Sequence, residues 1–139
     1  MALASFAELM ADAERGSYAV GYFESWNMES LLAVADAAEA TQSPVMLGFS
    51  GIYLPHPDRL VDDDLSYYLE LGRAVCRRIS VPACLVFNES PHYEWVVRAV
   101  ELGFDMVMFT DENYGLDQQT AEVRKVTQLA HAAGVAVEG

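Results

Sequence analysis

The chain has 139 residues, 53% of them apolar, enough to bury one core of ordinary size, so a single domain or part of one is expected. With 21 acidic against 8 basic residues the formal charge is -13, which repels nucleic acid and anionic membrane surfaces alike. No apolar run approaches the length of a membrane span, and the opening residues carry Glu8, Asp12 and Glu14 without a basic start, which argues against a signal peptide.

In chain order, Leu3, Phe6, Ala7, Met10 and Ala13 recur at helical spacing and predict a short leading helix over 3–14, stopped by Gly16. SYAVGYFES (17–25) is rich in strand formers and predicts the first strand. MESLLAVADAAEATQ (28–42) predicts a helix with Asn27 as its cap, broken by Ser43-Pro44. VMLGFS (45–50) is the second strand. A loop punctuated by Pro55 and Pro57 leads to the helix LSYYLELGRAVCRRI. VPACLVF and DMVMF predict the third and fourth strands with the helix YEWVVRAVEL between them. LDQQTAEVRKVTQLAHAAG (116–134) is a further helix, and VAVE begins a fifth strand.

Strands near 18, 45, 82, 105 and 135, each nearly all apolar and most followed by a helix, predict a parallel sheet covered by helices. A doubly wound sheet would carry a glycine-rich phosphate loop after its first strand, where Glu24-Ser25-Trp26-Asn27 stands instead. The fold class expected is therefore α/β of the (β/α)8 TIM-barrel type. Such a barrel takes about 250 residues, so residues 1–139 are expected to form one partial domain, an N-terminal half-barrel of four βα units and the start of a fifth strand.

A barrel places its chemistry where the strands end, and these strands end in polar residues: Glu24, Ser50, Asn88 with Glu89, Thr110, Asp111, Glu112 and Glu138. Each also has a structural reading. Asn88-Glu89-Ser90-Pro91 reads as the start of a helix, and Asp111 and Glu112 suit another. Glu138 reads equally as a salt-bridged acid at a barrel rim. His56, His92 and His131 share no metal-ligand spacing, and His131 suits a helix C-terminus. Trp95 reads as core; Trp26, at the first strand end, is a candidate wall of a sugar pocket. Asp62-Asp63-Asp64 reads as a solvated helix N-terminus. Cys76 and Cys84 are read as buried reduced thiols, consistent with a cytoplasmic protein.

The ordered motifs GSYAVGYFESWNMESLLAVADAAEATQSPVMLGFS, VPACLVF, YEWVVRAVELGFDMVMF and AHAAGVAVEG resemble the class II metal-dependent ketose-bisphosphate aldolases. The resemblance implies a lyase that reversibly cleaves a ketose bisphosphate to dihydroxyacetone phosphate and an aldehyde, with a sugar phosphate as its ligand. It implies a divalent metal ion, zinc in the family, and places Asn88 at the family's general-acid Asp and Glu89 at its metal-binding His. An oxygen donor at that position would favour Mg or Mn. Glu138 matches an acidic position that could serve the metal, and Ser50, Glu24, Asp111 and Glu112 are the candidate substrate-binding residues. Asn88 departs from the pattern, since an amide cannot exchange a proton near neutral pH. The second function class is a divergent, non-catalytic barrel segment that binds a sugar phosphate or assembles with another half-barrel or a second copy.

Overall fold

A computed structural model describes residues 3–54, 58 and 64–139. Five helices and five strands alternate: α1 Phe6–Gly16, β1 Gly21–Glu24, α2 Met28–Thr41, β2 Val45–Ser50, α3 Leu65–Arg78, β3 Ala83–Ser90, α4 Tyr93–Leu102, β4 Met106–Phe109, α5 Leu116–Ala132 and β5 Ala136–Glu138. All four strand pairings are parallel and the sheet order is β1-β2-β3-β4-β5. Sequential order with a helix between every pair of strands is the arrangement of an opened (β/α) barrel, and the N-terminal half of a TIM barrel is the fold the sequence predicts.

Local chemistry sets the element ends. Ser5 and Glu8 form a reciprocal capping box at the start of α1, and Asn27 with Ser30 does the same for α2, as expected for Asn27. Asp64 caps α3 by accepting the Ser66 N–H at 2.8 Å. His56, Asp62 and Asp63 lie outside the described residues. Gly103, at φ 90°, closes α4 in the left-handed region that glycine enters without strain.

The sheet buries a different set on each face, as the two-residue period of a strand requires. Leu47, Phe49, Leu85, Phe87, Val107 and Phe109 pack beneath α2 to α5 in the main core. The opposite, inner face carries Cys84, Val86 and Met106, joined by Val20, Tyr22, Met46 and Ala136. Leu9 of α1 belongs to this second cluster, and Ala4 N–H donates to the Ala83 carbonyl at 2.9 Å. So α1 plugs the inner face at the end where the strands begin and leaves the end where they finish to polar residues.

Two expectations need correction. The first strand is four residues long with alternating exposure, because an edge strand has a neighbour on one side only. The leading helix starts at Phe6, and Leu3 instead bridges to Ala83 beside the sheet. Both cysteines are free and buried, as expected.

Candidate functional site

The β2–β3 register sets Ser50 opposite Asn88, and Glu24 lies beside Gly48 at the end of β1. Across the sheet, Met108 pairs with Glu138. By strand alternation Glu24, Ser50, Asn88 and Glu138 share the inner face with Tyr22, Val86 and Met106. Four of the sequence-predicted residues are therefore brought to one face and one end.

A bulge explains how Asn88 and Glu89 both reach that end. Phe87 pairs with Val107 and Ser90 with Phe109, so two residues of β3 face the single Met108 of β4. Glu89 takes the extra place at φ 46°, in the left-handed region disfavoured for residues with a Cβ. The bulge keeps Asn88 inward and lets Ser90 tuck beneath, its hydroxyl accepting the His92 N–H at 3.3 Å. Asn88 and Glu89 are thus strand residues. The helix-start reading fails, because His92 holds the cap position of α4 without a side-chain cap.

Neighbouring backbones tie the strand ends together. Gly51 N–H donates to the Asn88 carbonyl at 2.7 Å, Thr110 N–H to the Ser90 carbonyl at 3.0 Å, and Ser25 N–H to the Gly48 carbonyl at 2.9 Å. Glu24 is half-buried and accepts the Trp26 indole N–H at 2.9 Å. The Trp26 ring, 68% exposed, meets Tyr53 edge-on at a centroid distance of 6.0 Å, so two aromatic rings flank this end of β1. Trp95 stacks on Phe87 against the main core, as the sequence suggests.

Asp111 and Glu112 sit apart from this group in role. Asp111 accepts the Asn113 N–H at 2.9 Å, an Asx turn, while Gln119 holds the Asp111 N–H and the Phe109 carbonyl. Glu112 is exposed in the same turn. Neither caps α5, which starts after Gly115.

Three buried side-chain oxygens have no hydrogen-bond partner among the described residues: Tyr22 Oη, Ser25 Oγ and Asn88 Oδ1. A buried polar atom left unpaired costs about 1–3 kcal/mol, so native proteins carry few of them. Tyr22 lies in β1, Ser25 directly after it, and Asn88 in β3, all at or near the polar end. Tyr22 is the residue that sequence reading missed. Its ring crosses Gly48, where a Cβ would stand 2.9 Å from Cε2. Burial first, then the carboxylates of Glu24, Glu89 and Glu138, push the phenol well above its ordinary pKa, so it stays a hydrogen-bond donor at any physiological pH. A glycine within an apolar strand, Gly48 in VMLGFS, was the available signal for a side chain lying over it.

The family resemblance implies a divalent metal. Among the described residues no three His, Cys, Asp or Glu side chains converge as a metal-binding group. Glu89 and Glu138 alone do not make up a closed donor set, so the residues present do not fit a bound ion and no chemical step is routed through one.

Comparison with known proteins agrees with this layout. Residues 4–139 match the sequence profile of the family described as fructose-bisphosphate aldolase class-II. A probable fructose-bisphosphate aldolase of Bacillus subtilis is 31% identical over 99% of this chain and 47% of its own length. A 6-phospho-5-dehydro-2-deoxy-D-gluconate aldolase of Shouchella clausii is 32% identical over the whole chain and 46% of its own length. The crystal structure of the YdjI aldolase from Escherichia coli K12 superposes with a TM-score of 0.80 at 21% identity, covering 97% of this chain and 50% of that one, and supports the fold. The chain spans about half the length of the relatives it matches. By its match over nearly all of its residues, the chain belongs to the class-II fructose-bisphosphate aldolase family.

Proposed function

We propose that residues 1–139 form one partial-barrel domain, the N-terminal half of an aldolase-type barrel, and that its strand ends bind a sugar phosphate. In the intact family the corresponding reaction is reversible aldol cleavage of a ketose bisphosphate to dihydroxyacetone phosphate and an aldehyde. The observation that carries the binding part is the gathering of the unpartnered Asn88 and Tyr22 oxygens on the inner face beside Ser50 and Glu24. Polar groups buried without partners are poised for a ligand that supplies them.

In this reading Ser50, Glu24 and the Asn88 side chain contact the ligand, and Asp111 and Glu112 shape the rim through the turn after β4. Asn88 accepts and donates hydrogen bonds but moves no proton. That limit favours the second reading, a non-catalytic barrel segment that binds or assembles, wherever no other group supplies the acid. Two related aldolases named for different substrates, the fructose-bisphosphate and the phosphorylated gluconate enzymes, leave the sugar itself to experiment. A cytoplasmic setting fits two unpaired thiols. Among the described residues no helix is long and apolar enough to cross a membrane.

The test is a pair of measurements on the 139-residue chain. Calorimetry with dihydroxyacetone phosphate should show binding that Asn88→Ala weakens severalfold. A coupled assay with fructose bisphosphate should show no turnover. Turnover lost in Asn88→Ala would establish a lyase despite the amide, and absence of binding would leave assembly as the role.

A further inference from the structure

The inner face holds a donor that the resemblance does not account for. Tyr22 lies one strand over from Gly48 with its ring leaning across that residue, and its hydroxyl is buried without a partner. It lies within electrostatic reach of Glu24, Glu89 and Glu138, three carboxylates from β1, β3 and β5. Asn88, only 8% exposed, brings an unpartnered amide oxygen to the same inner face from β3. One neutral donor and one neutral acceptor thus share the inner face with negative charge from three strands.

From this juxtaposition we infer that the strand-end site receives an uncharged hydroxylated group of its ligand, with Tyr22 as the specificity-determining hydrogen-bond donor and Asn88 Oδ1 as the acceptor. A hydroxyl or a hydroxyketone oxygen accepts from Tyr22 Oη, and a ligand O–H donates to Asn88. A phosphate at the same place would meet the three carboxylates and is refused by charge. The site therefore orients a sugar phosphate: its carbohydrate end enters and its phosphate stays out. Gly48 is part of the device, since any side chain there would displace the phenol ring.

This inference rests on the reading that the strand ends bind a sugar phosphate, and the experiment separates the two. Saturation-transfer NMR on the 139-residue chain would compare dihydroxyacetone, inorganic phosphate and dihydroxyacetone phosphate as probes. Dihydroxyacetone should bind, and inorganic phosphate should neither bind nor displace it. Tyr22→Phe, which keeps the ring over Gly48, should weaken dihydroxyacetone about three- to tenfold, the worth of one neutral hydrogen bond. Asn88→Ala should act in the same direction, while Tyr67→Phe on the exposed face of α3 should change nothing.

A structural role for the hydroxyl predicts a lowered thermal midpoint in Tyr22→Phe, with or without a probe present. Removing an oxygen that already lacks a partner leaves the thermal midpoint of Tyr22→Phe unchanged or raised, so lost binding would not be lost folding. Binding of dihydroxyacetone phosphate with no difference between wild type and Tyr22→Phe would overturn the inference and spare the broader reading. Displacement of dihydroxyacetone by inorganic phosphate would overturn it too. Failure of both carbohydrate probes to bind would overturn both.

Discussion

Tyr22 and Gly48 occupy adjacent strands so closely that a Cβ on the glycine would stand 2.9 Å from Cε2 of the ring and overlap the Val86 carbonyl oxygen. The ring can turn aside, but the carbonyl is backbone of the central strand and cannot. Gly48→Ala is therefore expected to destabilise the chain by about 1–3 kcal/mol, the usual cost of overpacking a close-packed core. Urea unfolding of Gly48→Ala and of the double variant with Tyr22→Ala checks it. The double variant should recover only part of the loss, and full recovery would show that the ring was the sole obstacle.

A second prediction concerns Asp105, at the opposite end of the sheet. Its Oδ2 accepts the Leu85 N–H at 2.8 Å and its own N–H donates to the Leu85 carbonyl, locking β4 to β3. Burial holds its pKa above the ordinary aspartate value, against the Leu85 hydrogen bond and the Arg73 charge, which pull it down. The folded chain then binds this proton more tightly than the unfolded one. The contribution to stability is full below the unfolded pKa and falls as pH rises through the folded one. Asp105→Asn keeps an acceptor for Leu85 without the buried charge, so its stability relative to wild type should rise between pH 4 and pH 7. Asp105→Ala leaves Leu85 N–H unpaired and should cost about 1–3 kcal/mol. Thermal melts of the three proteins across that range would measure both effects, and parallel pH profiles for wild type and Asp105→Asn would refute the assignment.

Much of the architecture was legible because parallel strands buried on both faces read as apolar runs, as in ACLVF and MVMF, and because caps such as Asn27 follow from local hydrogen-bond geometry. The candidate site was legible only in part. Its place at the strand ends followed from the barrel pattern, but Asn88 and Glu89 looked like a helix start because proline follows two residues later. What keeps them in the strand is a bulge with Glu89 at φ 46°, and no rule of residue preference points to a left-handed glutamate. Tyr22 was missed for a different reason: Gly48 signals that some side chain lies over it, but which one is decided by a contact between residues 26 apart in sequence.

The edges of the sheet give a third prediction. β1 and β5 each have a neighbour on one side only, and beside β1 an apolar groove of about 520 Å³ is lined by Phe23, Ala33, Val34, Ala37 and Val45. Unpaired strand edges next to apolar surface favour association. The formal charge of -13 opposes it, so association should strengthen as salt screens the repulsion. Light scattering of the 139-residue chain is expected to show dimers or larger species that grow between low and high ionic strength. A monodisperse monomer throughout would count against the open half-barrel as a sticky unit.

The last prediction returns to Glu89. The family resemblance implies a metal-binding role for Glu89, next to the inner-face residue Asn88, yet the described residues bring no set of three donors together. One carboxylate at a bulged strand end offers a divalent ion too few bonds to replace its water shell. Titration of the chain with Mg, Mn and Zn is therefore expected to show at most weak binding, with Glu89→Gln indistinguishable from wild type in affinity for each. Glu89→Gln keeps the side-chain shape and the left-handed backbone, so its stability should stay within about 0.5 kcal/mol of wild type. Glu89→Gly tests the backbone separately, since glycine adopts that conformation without strain and should be stabilising by about 1 kcal/mol. Micromolar binding of any of the three ions that Glu89→Gln abolishes would place a metal at this strand end after all, and a preference for Mg or Mn over Zn would show that the carboxylate had changed the family's choice of ion.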